Sequence, residues 1–258
     1  MSPLRLRRWC AFALALLAVG ACGRGGDEMP DTGATTRALL GGPVEGGPST
    51  LVRGSPGLSA GAQEVNVMEL GYNRGVIQAP LKIIEFSDFG CGFCRRFHQE
   101  SFPTLIEEFI ETGKIEWKFM PFITGNFENS LAVTEAAECA LEQSPALYEA
   151  IGGELWTRQS EWKESDEPEA LVREWAREAG VELPRFDSCL AEDRRMNRVR
   201  GANAVADQLG IRATPTLWLV GFGPVQGALP LETFRGILGT IYEEIVADSG
   251  TAAPPPAN

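Results

Sequence analysis

The chain has 258 residues, of which 44% are hydrophobic and 22% are charged, an ordinary balance for a globular protein. Its formal net charge is −12, and no basic cluster follows the first residues. An acidic body is repelled by phosphate backbones and by anionic lipid headgroups, so we expect no nucleic acid among its partners.

The N-terminus has the pattern of a secretory signal. Three arginines within the first eight residues precede an apolar run at residues 9–19, which is shorter than the roughly 20 residues that a membrane span needs. Residues 19–22, Val-Gly-Ala-Cys, resemble a bacterial lipobox, in which cleavage occurs before a cysteine that then receives lipid. We therefore expect removal of residues 1–21 and lipidation of Cys22, with a plain secretory cleavage at the same bond as the alternative.

This reading predicts a protein of the bacterial cell envelope, lipid-anchored on the periplasmic or extracytoplasmic face of a membrane. Such a compartment permits disulfides. Residues 22–64 are rich in Gly, Pro, Ala, Ser and Thr and are predicted to be a flexible linker with a span of about 35 Å. We expect the folded domain over residues 65–246 and a disordered tail over residues 247–258.

The first half of the domain is predicted to be a βαβ unit. Residues 81–86 form a short apolar run typical of a buried strand. Apolar residues recur at helical spacing from residue 92 to about 112, with a kink expected at Pro103, and residues 115–119 indicate a second strand. A strand, a helix and a strand in so short a span predict parallel pairing.

The second half of the domain is predicted to be a ββα unit that follows an all-helical segment. Residues of about 128–209 carry helical patterns and no strand signal. Residues 216–220 and 225–227 then predict a β-hairpin, and an amphipathic helix follows. The order of elements predicts an α/β protein of the thioredoxin-like class, with a helical insertion between its two halves.

Two cysteines three residues apart, Cys91 and Cys94, stand where the first helix is predicted to begin. Unpaired backbone N–H groups at a helix N-terminus favour a thiolate, so Cys91 is expected to have a lowered pKa and to be the attacking sulfur. Cys94, one turn further along, is expected to be more buried and to resolve the mixed disulfide. The alternatives are half of a zinc site or an inert bridge, but zinc needs two further ligands and the chain has one histidine, so we expect no metal.

These motifs together resemble the DsbA-like family of extracytoplasmic thiol-disulfide oxidoreductases. The resemblance rests on Glu-Phe-Ser-Asp-Phe at residues 85–89 before Cys-Gly-Phe-Cys at 91–94, on the cysteine-bearing insertion, and on Ala-Thr-Pro-Thr at 213–216. It implies exchange of disulfides with extracytoplasmic proteins that contain cysteine, recycling by a membrane redox partner, and no cofactor. It also implies a cis Thr214–Pro215 bond facing the cysteine pair, where Pro215 leaves backbone free to pair with substrate.

Further site residues follow from the pattern and the resemblance together. Glu85 interrupts an apolar strand and is expected to be a buried acid that accepts the proton of Cys94, with a solvated Glu at a sheet edge as the alternative. Lys118 on the adjacent strand is either a simple exposed lysine or the partner of Glu85. Thr214 and Phe93 are candidate substrate contacts, although Phe93 could instead pack in the core. We expect the histidine His98, about 10 Å along the helix axis from Cys91, to be structural, with a proton-shuttle role as the alternative.

Cys139 and Cys189 both fall in the helical insertion. They are expected to form a structural disulfide, with two free buried thiols as the alternative.

The functional prediction is a thiol-disulfide oxidoreductase, more an oxidase than a reductase because a lowered thiol pKa stabilises the reduced form. The strongest oxidants of the family have a histidine inside the motif, where this chain has Gly92 and Phe93, so the direction rests on the thiol pKa alone. The alternative is a chaperone-like protein that binds peptides without redox turnover.

Overall fold

A computed structural model describes residues 66–249. The predicted signal sequence, the lipidation site Cys22, the predicted linker and residues 250–258 lie outside the described residues. Within residues 66–249, no helix is both long enough and apolar enough to cross a membrane.

A five-stranded mixed sheet forms the centre of the described domain. Its strands are β1 (Tyr72–Arg74), β2 (Leu81–Ser87), β3 (Ile115–Pro121), β4 (Thr216–Leu219) and β5 (Gly223–Gln226). They lie in the order β1-β3-β2-β4-β5, with β2 and β3 parallel and every other pair antiparallel. The predicted parallel βαβ unit and the later hairpin are therefore confirmed.

Nine α-helices accompany the sheet in the described part of the chain. They are α1 (Gly92–Glu100), α2 (Phe102–Leu105), α3 (Ser130–Leu141), α4 (Pro145–Thr157), α5 (Gln159–Lys163), α6 (Pro168–Glu178), α7 (Leu183–Ala191), α8 (Met196–Gln208) and α9 (Leu231–Ser249). Helices α3 to α8 occupy the segment between β3 and β4. The thioredoxin-like class with an all-helical insertion is thus confirmed.

The alternation of side chains along the strands separates two cores. On one face, Ile83, Trp117 and Leu217 pack with residues of α1 and α9 such as Phe97 and Phe234. On the other face, apolar residues of β2, β3 and β4 pack with α8; they are Ile84, Phe86, Met120 and Trp218. Helices α3 to α7 have a third core, which reaches both cysteines of the motif.

The first long helix differs from its prediction. Instead of one helix with a kink at Pro103, α1 ends at Glu100 and α2 begins at Phe102, followed by a π-helical turn over Ile106–Ile110. Pro103 occupies the first turn of α2, where its missing N–H costs no helical hydrogen bond. The break therefore falls two residues before the proline.

Two other boundaries also differ. The sequence gives no signal for β1, a three-residue edge strand whose side chains are only half-buried. The final helix continues to Ser249, three residues into the predicted tail.

Candidate active site

The cysteine pair lies at the N-terminus of α1, as the spacing predicts. Cys91 is the N-cap residue, and its Sγ accepts a hydrogen bond from the backbone N–H of Cys94 at 3.2 Å. Both residues are free thiols; Cys91 is 2% exposed and Cys94 is fully buried. The geometry holds the Cys91 sulfur against backbone donors that can stabilise a negative charge.

The surroundings of Cys91 lower its pKa from 9.0 to about 6. The largest cause is the hydrogen bond from the Cys94 side chain, with smaller contributions from Thr214 and from the backbone N–H groups of Cys94 and Phe93. Burial opposes these donors because it disfavours the charged form. Cys91 is therefore mostly thiolate at neutral pH.

Cys94 is perturbed in the opposite direction. Burial raises the pKa of its thiol far above the ordinary value, and the neighbouring Cys91 adds to the rise. The Ser87 hydroxyl, on the adjacent end of β2, opposes this rise without reversing it. The pair therefore contains one ionised and one protonated sulfur, which is the asymmetry that stepwise exchange requires.

The loop before β4 faces the cysteine pair. The Thr214–Pro215 peptide bond is cis, as predicted, and the Thr214 carbonyl lies 3.5 Å from Cys91 Sγ. The Pro215 carbonyl accepts from Gly227 N–H at 2.8 Å, and the Thr216 hydroxyl donates to the Ala213 carbonyl at 2.7 Å. The first bond connects the proline loop to the residue after β5, and the second closes the loop on itself opposite Cys91.

Glu85 is fully buried on β2, but its partner is His98 rather than Lys118. One carboxylate oxygen of Glu85 lies 2.7 Å from His98 Nε2, and the other accepts from Trp117 Nε1 at 3.0 Å. Lys118 instead donates to the Leu70 carbonyl at 2.8 Å. Both expectations for Lys118 are wrong: Lys118 pairs with Ile84 in the β2–β3 register and so faces the opposite side of the sheet from Glu85, and it is buried rather than exposed.

His98 is a functional candidate for which the sequence reasoning favoured a structural role over that of a proton shuttle. Its ring stacks on Trp156 with 4.5 Å between the ring centroids and meets Phe119 edge-on. It also lines a cavity of about 200 Å³ that is walled mainly by aromatic side chains. Its spacing of four residues from Cys94 places both on one side of α1, which was the available signal.

Asp88 was also missed by the sequence reasoning. Its carboxylate accepts from Gly90 N–H at 2.9 Å, from Thr124 N–H at 3.1 Å and from the Ser130 hydroxyl. The Asp88 carbonyl accepts from Cys91 N–H at 2.9 Å. Asp followed two residues later by Gly is a turn signal, and here the turn leads directly into the redox motif.

The remaining predicted site residues lie as follows. Phe93 is 60% exposed, with the Arg96 guanidinium 5.2 Å from its ring centroid, so it does not pack in the core. Cys139 on α3 and Cys189 on α7 are joined in a disulfide. Among residues 66–249, no group of three or more His, Cys, Asp or Glu side chains is arranged to hold a metal ion.

Comparison with known proteins gives one family match. The model of the family described as Thioredoxin matches residues 70–238, more than half of the chain. A curated relative, a probable disulfide bond formation protein D of Bacillus anthracis, is 26% identical over 151 residues, which cover 57% of this chain and 68% of that protein.

Solved structures support the fold. BdbD from Bacillus subtilis superimposes with a TM-score of 0.60 at 18% identity, covering 67% of this chain and 93% of that one. Wolbachia pipientis alpha-DsbA1 gives a TM-score of 0.62 at 20% identity over 69% of this chain and 93% of that one. At identities of 18% and 20%, the two structures support the fold alone.

Proposed function

Because this chain belongs to the thioredoxin family, as one of its DsbA-like thiol-disulfide oxidoreductases, we propose that it exchanges disulfides with protein substrates through Cys91 and Cys94 and acts mainly as an oxidase. The observation that carries the proposal is the asymmetry of the pair. Cys91 caps α1 with a pKa lowered to about 6, whereas the pKa of the buried Cys94 is raised. A stabilised thiolate favours the reduced enzyme and therefore the oxidation of substrates.

In the oxidase direction, a substrate thiolate attacks Cys91 Sγ of the oxidised pair. A substrate–Cys91 disulfide forms, the Cys91–Cys94 bond breaks, and Cys94 leaves as a thiolate that takes up a proton. A second substrate thiolate then attacks the substrate sulfur of the mixed disulfide, and Cys91 leaves as a thiolate. The substrate loses two electrons and gains a disulfide, and the enzyme holds the two electrons as its reduced pair.

Glu85 is proposed to exchange a proton with the Cys94 thiol. Its carboxylate is buried on the α1 side of the sheet, two residues from Ser87, whose hydroxyl lowers the pKa of Cys94, and strand alternation places Glu85 and Ser87 on one face. His98 is bonded to the same carboxylate and lines the aromatic cavity. A proton could therefore pass between the pair and the cavity through Glu85 and His98.

Substrate is proposed to bind along the proline loop beside Cys91. Pro215 has no backbone N–H, and Thr214 lies in contact with Cys91. Phe93 offers an exposed aromatic surface within the motif itself. An extended substrate segment could thus pair with the loop while its cysteine faces Cys91.

The chain is further proposed to work in the bacterial cell envelope, tethered by lipid on Cys22, with a membrane redox partner that reoxidises the pair. Support comes from the signal-like N-terminus and the lipobox-like residues 19–22. Palmitate labelling of the full chain, lost in Cys22→Ser, tests the anchor. Release of unmodified wild-type protein from a host that processes lipoproteins would contradict it.

Turnover assays separate the exchange activity from peptide binding without chemistry. Two activities should depend on Cys91 and be lost in Cys91→Ser. They are the oxidative refolding of a reduced protein whose native form contains disulfides, and the reduction of insulin. A chaperone-like protein would instead support refolding equally well after this change, and that result would overturn the proposed function.

A further inference from the structure

Three consecutive backbone carbonyls immediately before the redox helix accept hydrogen bonds from one short helix of the insertion. Gln159 Nε2, at the start of α5, lies 2.6 Å from the Phe89 carbonyl and 3.1 Å from the Cys91 carbonyl. Lys163 Nζ, at the end of α5, lies 2.8 Å from the Gly90 carbonyl. Helix α5 therefore holds the backbone of residues 89–91 from the insertion side.

The held segment determines where the Cys91 sulfur lies. Cys91 is a cap residue with φ −77° and ψ 120°, and only in this extended conformation can its Sγ accept from Cys94 N–H while its carbonyl receives Arg95 N–H at 3.0 Å. Gln159 is buried, so loss of its amide would leave the Phe89 carbonyl without that donor in a region with little access to water.

Helix α5 is itself firmly placed. Trp162 is fully buried and donates from Nε1 to the Leu155 carbonyl at 2.9 Å. Asn129, directly before α3, donates to the carbonyls of Trp162 at 3.0 Å and Ser165 at 2.9 Å. The position of the two donors is thus set by the packing of the insertion.

We propose that Gln159 is a positioning residue for Cys91, assisted by Lys163. Through these two donors the helical insertion tunes the reactivity of the redox motif. The inference rests on the proposed function. It assigns Gln159 no contact with substrate. Its effect reaches the sulfur through the backbone of residues 89–91, because its amide donates to the carbonyls of Phe89 and Cys91.

The test compares Gln159→Met with Gln143→Met in the otherwise unchanged chain. Methionine preserves the length and approximate volume of glutamine but donates no hydrogen bond. Gln143 is a matched control because its amide also bonds backbone, exchanging two hydrogen bonds with Glu182 at 3.0 and 2.8 Å, elsewhere in the insertion. Thiolate absorbance at 240 nm against pH gives the proton affinity of Cys91, and equilibration with glutathione gives the redox constant.

In Gln159→Met we expect the proton affinity of Cys91 to rise by roughly 3- to 10-fold, the scale of one lost hydrogen bond. The redox equilibrium at pH 7 should shift towards the oxidised enzyme. Gln143→Met should lower thermal stability without either change. An unaltered Cys91 titration in folded Gln159→Met, or an equal shift in Gln143→Met, would overturn the inference.

Should Gln159→Met fail to fold, Lys163→Met decides the matter through the same titration. A rise in the proton affinity of Cys91 supports positioning by α5, and an unchanged titration overturns it. The wild-type chain separates this inference from the proposed function. If wild type exchanges no disulfides the function is wrong, whereas an active wild type with an unshifted variant refutes only the role of Gln159.

Discussion

Removal of the Cys94 thiol should raise the pKa of Cys91, because the largest contribution to the low pKa of Cys91 is the hydrogen bond from the Cys94 side chain. A hydrogen bond to a charged group contributes about 1.5–3 kcal/mol, and about 1.4 kcal/mol changes a pKa by one. The lower end of this range applies because the contributions of Thr214 and of the backbone N–H groups of Cys94 and Phe93 remain. The pKa of Cys91 in Cys94→Ala should therefore rise from about 6 to about 7.

Cys94→Ser supplies the matched control. Its hydroxyl can donate from nearly the same place as the thiol, so the pKa of Cys91 should stay nearer to 6 than in Cys94→Ala. Thiolate absorbance at 240 nm against pH measures both variants, with Cys91→Ala as the blank. If both variants titrate together near 6, the backbone N–H groups alone hold the thiolate, and the assignment of the largest cause to Cys94 is wrong.

Three other predictions follow from the site and the insertion. Cys94→Ser should accumulate substrates as mixed disulfides on Cys91, seen as reductant-sensitive bands, whereas Cys91→Ser should capture none. Glu85→Gln should slow the attack of Cys94 on the mixed disulfide, the reductive direction of the exchange, in stopped-flow assays while changing the pKa of Cys91 less, because Cys94 gives up its proton in that step. Replacing Cys139 and Cys189 by Ala should lower the free energy of unfolding by roughly 4 kcal/mol for a loop of 50 residues, measured by denaturant titration, without shifting the Cys91 titration.

Distinct results would contradict each of these. Equal capture of partners by the two single-cysteine variants would mean that Cys91 is not the preferred sulfur for bonding to substrate. Attack of Cys94 on the mixed disulfide at the wild-type rate in Glu85→Gln would show that Glu85 is not on the proposed proton path. An undiminished unfolding free energy without Cys139 and Cys189 would show that the insertion does not depend on its bridge.

Much of the fold could be predicted because its signals are local. The β-branched run in β2 and the apolar spacing in α1 lie within single elements, and each predicts its own conformation. The order of elements then restricts the topology, since a crossover between neighbouring strands implies parallel pairing. The strand β1 was not predicted because three half-buried residues at a sheet edge show no alternation of apolar and polar side chains.

The site was harder to predict because its partnerships depend on register and packing. Whether Glu85 meets Lys118 or His98 follows from which residues of β2 and β3 lie opposite each other, and a one-residue difference reverses the side of the sheet. The donors Gln159 and Lys163 come from about 70 positions further along the chain than the carbonyls they bind. Contacts of that separation leave no spacing pattern in a single sequence.

The reduction potential of the Cys91–Cys94 pair, measured by equilibration with glutathione from pH 5 to pH 8, tests the central claim most directly. Above pH 6, where Cys91 is ionised, reduction takes up one proton, so the potential should fall by about 30 mV per pH unit, against about 59 mV below it. At pH 7 the value should lie nearer to about −120 mV than to about −270 mV. A potential near the lower figure with no change of slope near pH 6 would contradict an oxidase built on a stabilised Cys91 thiolate.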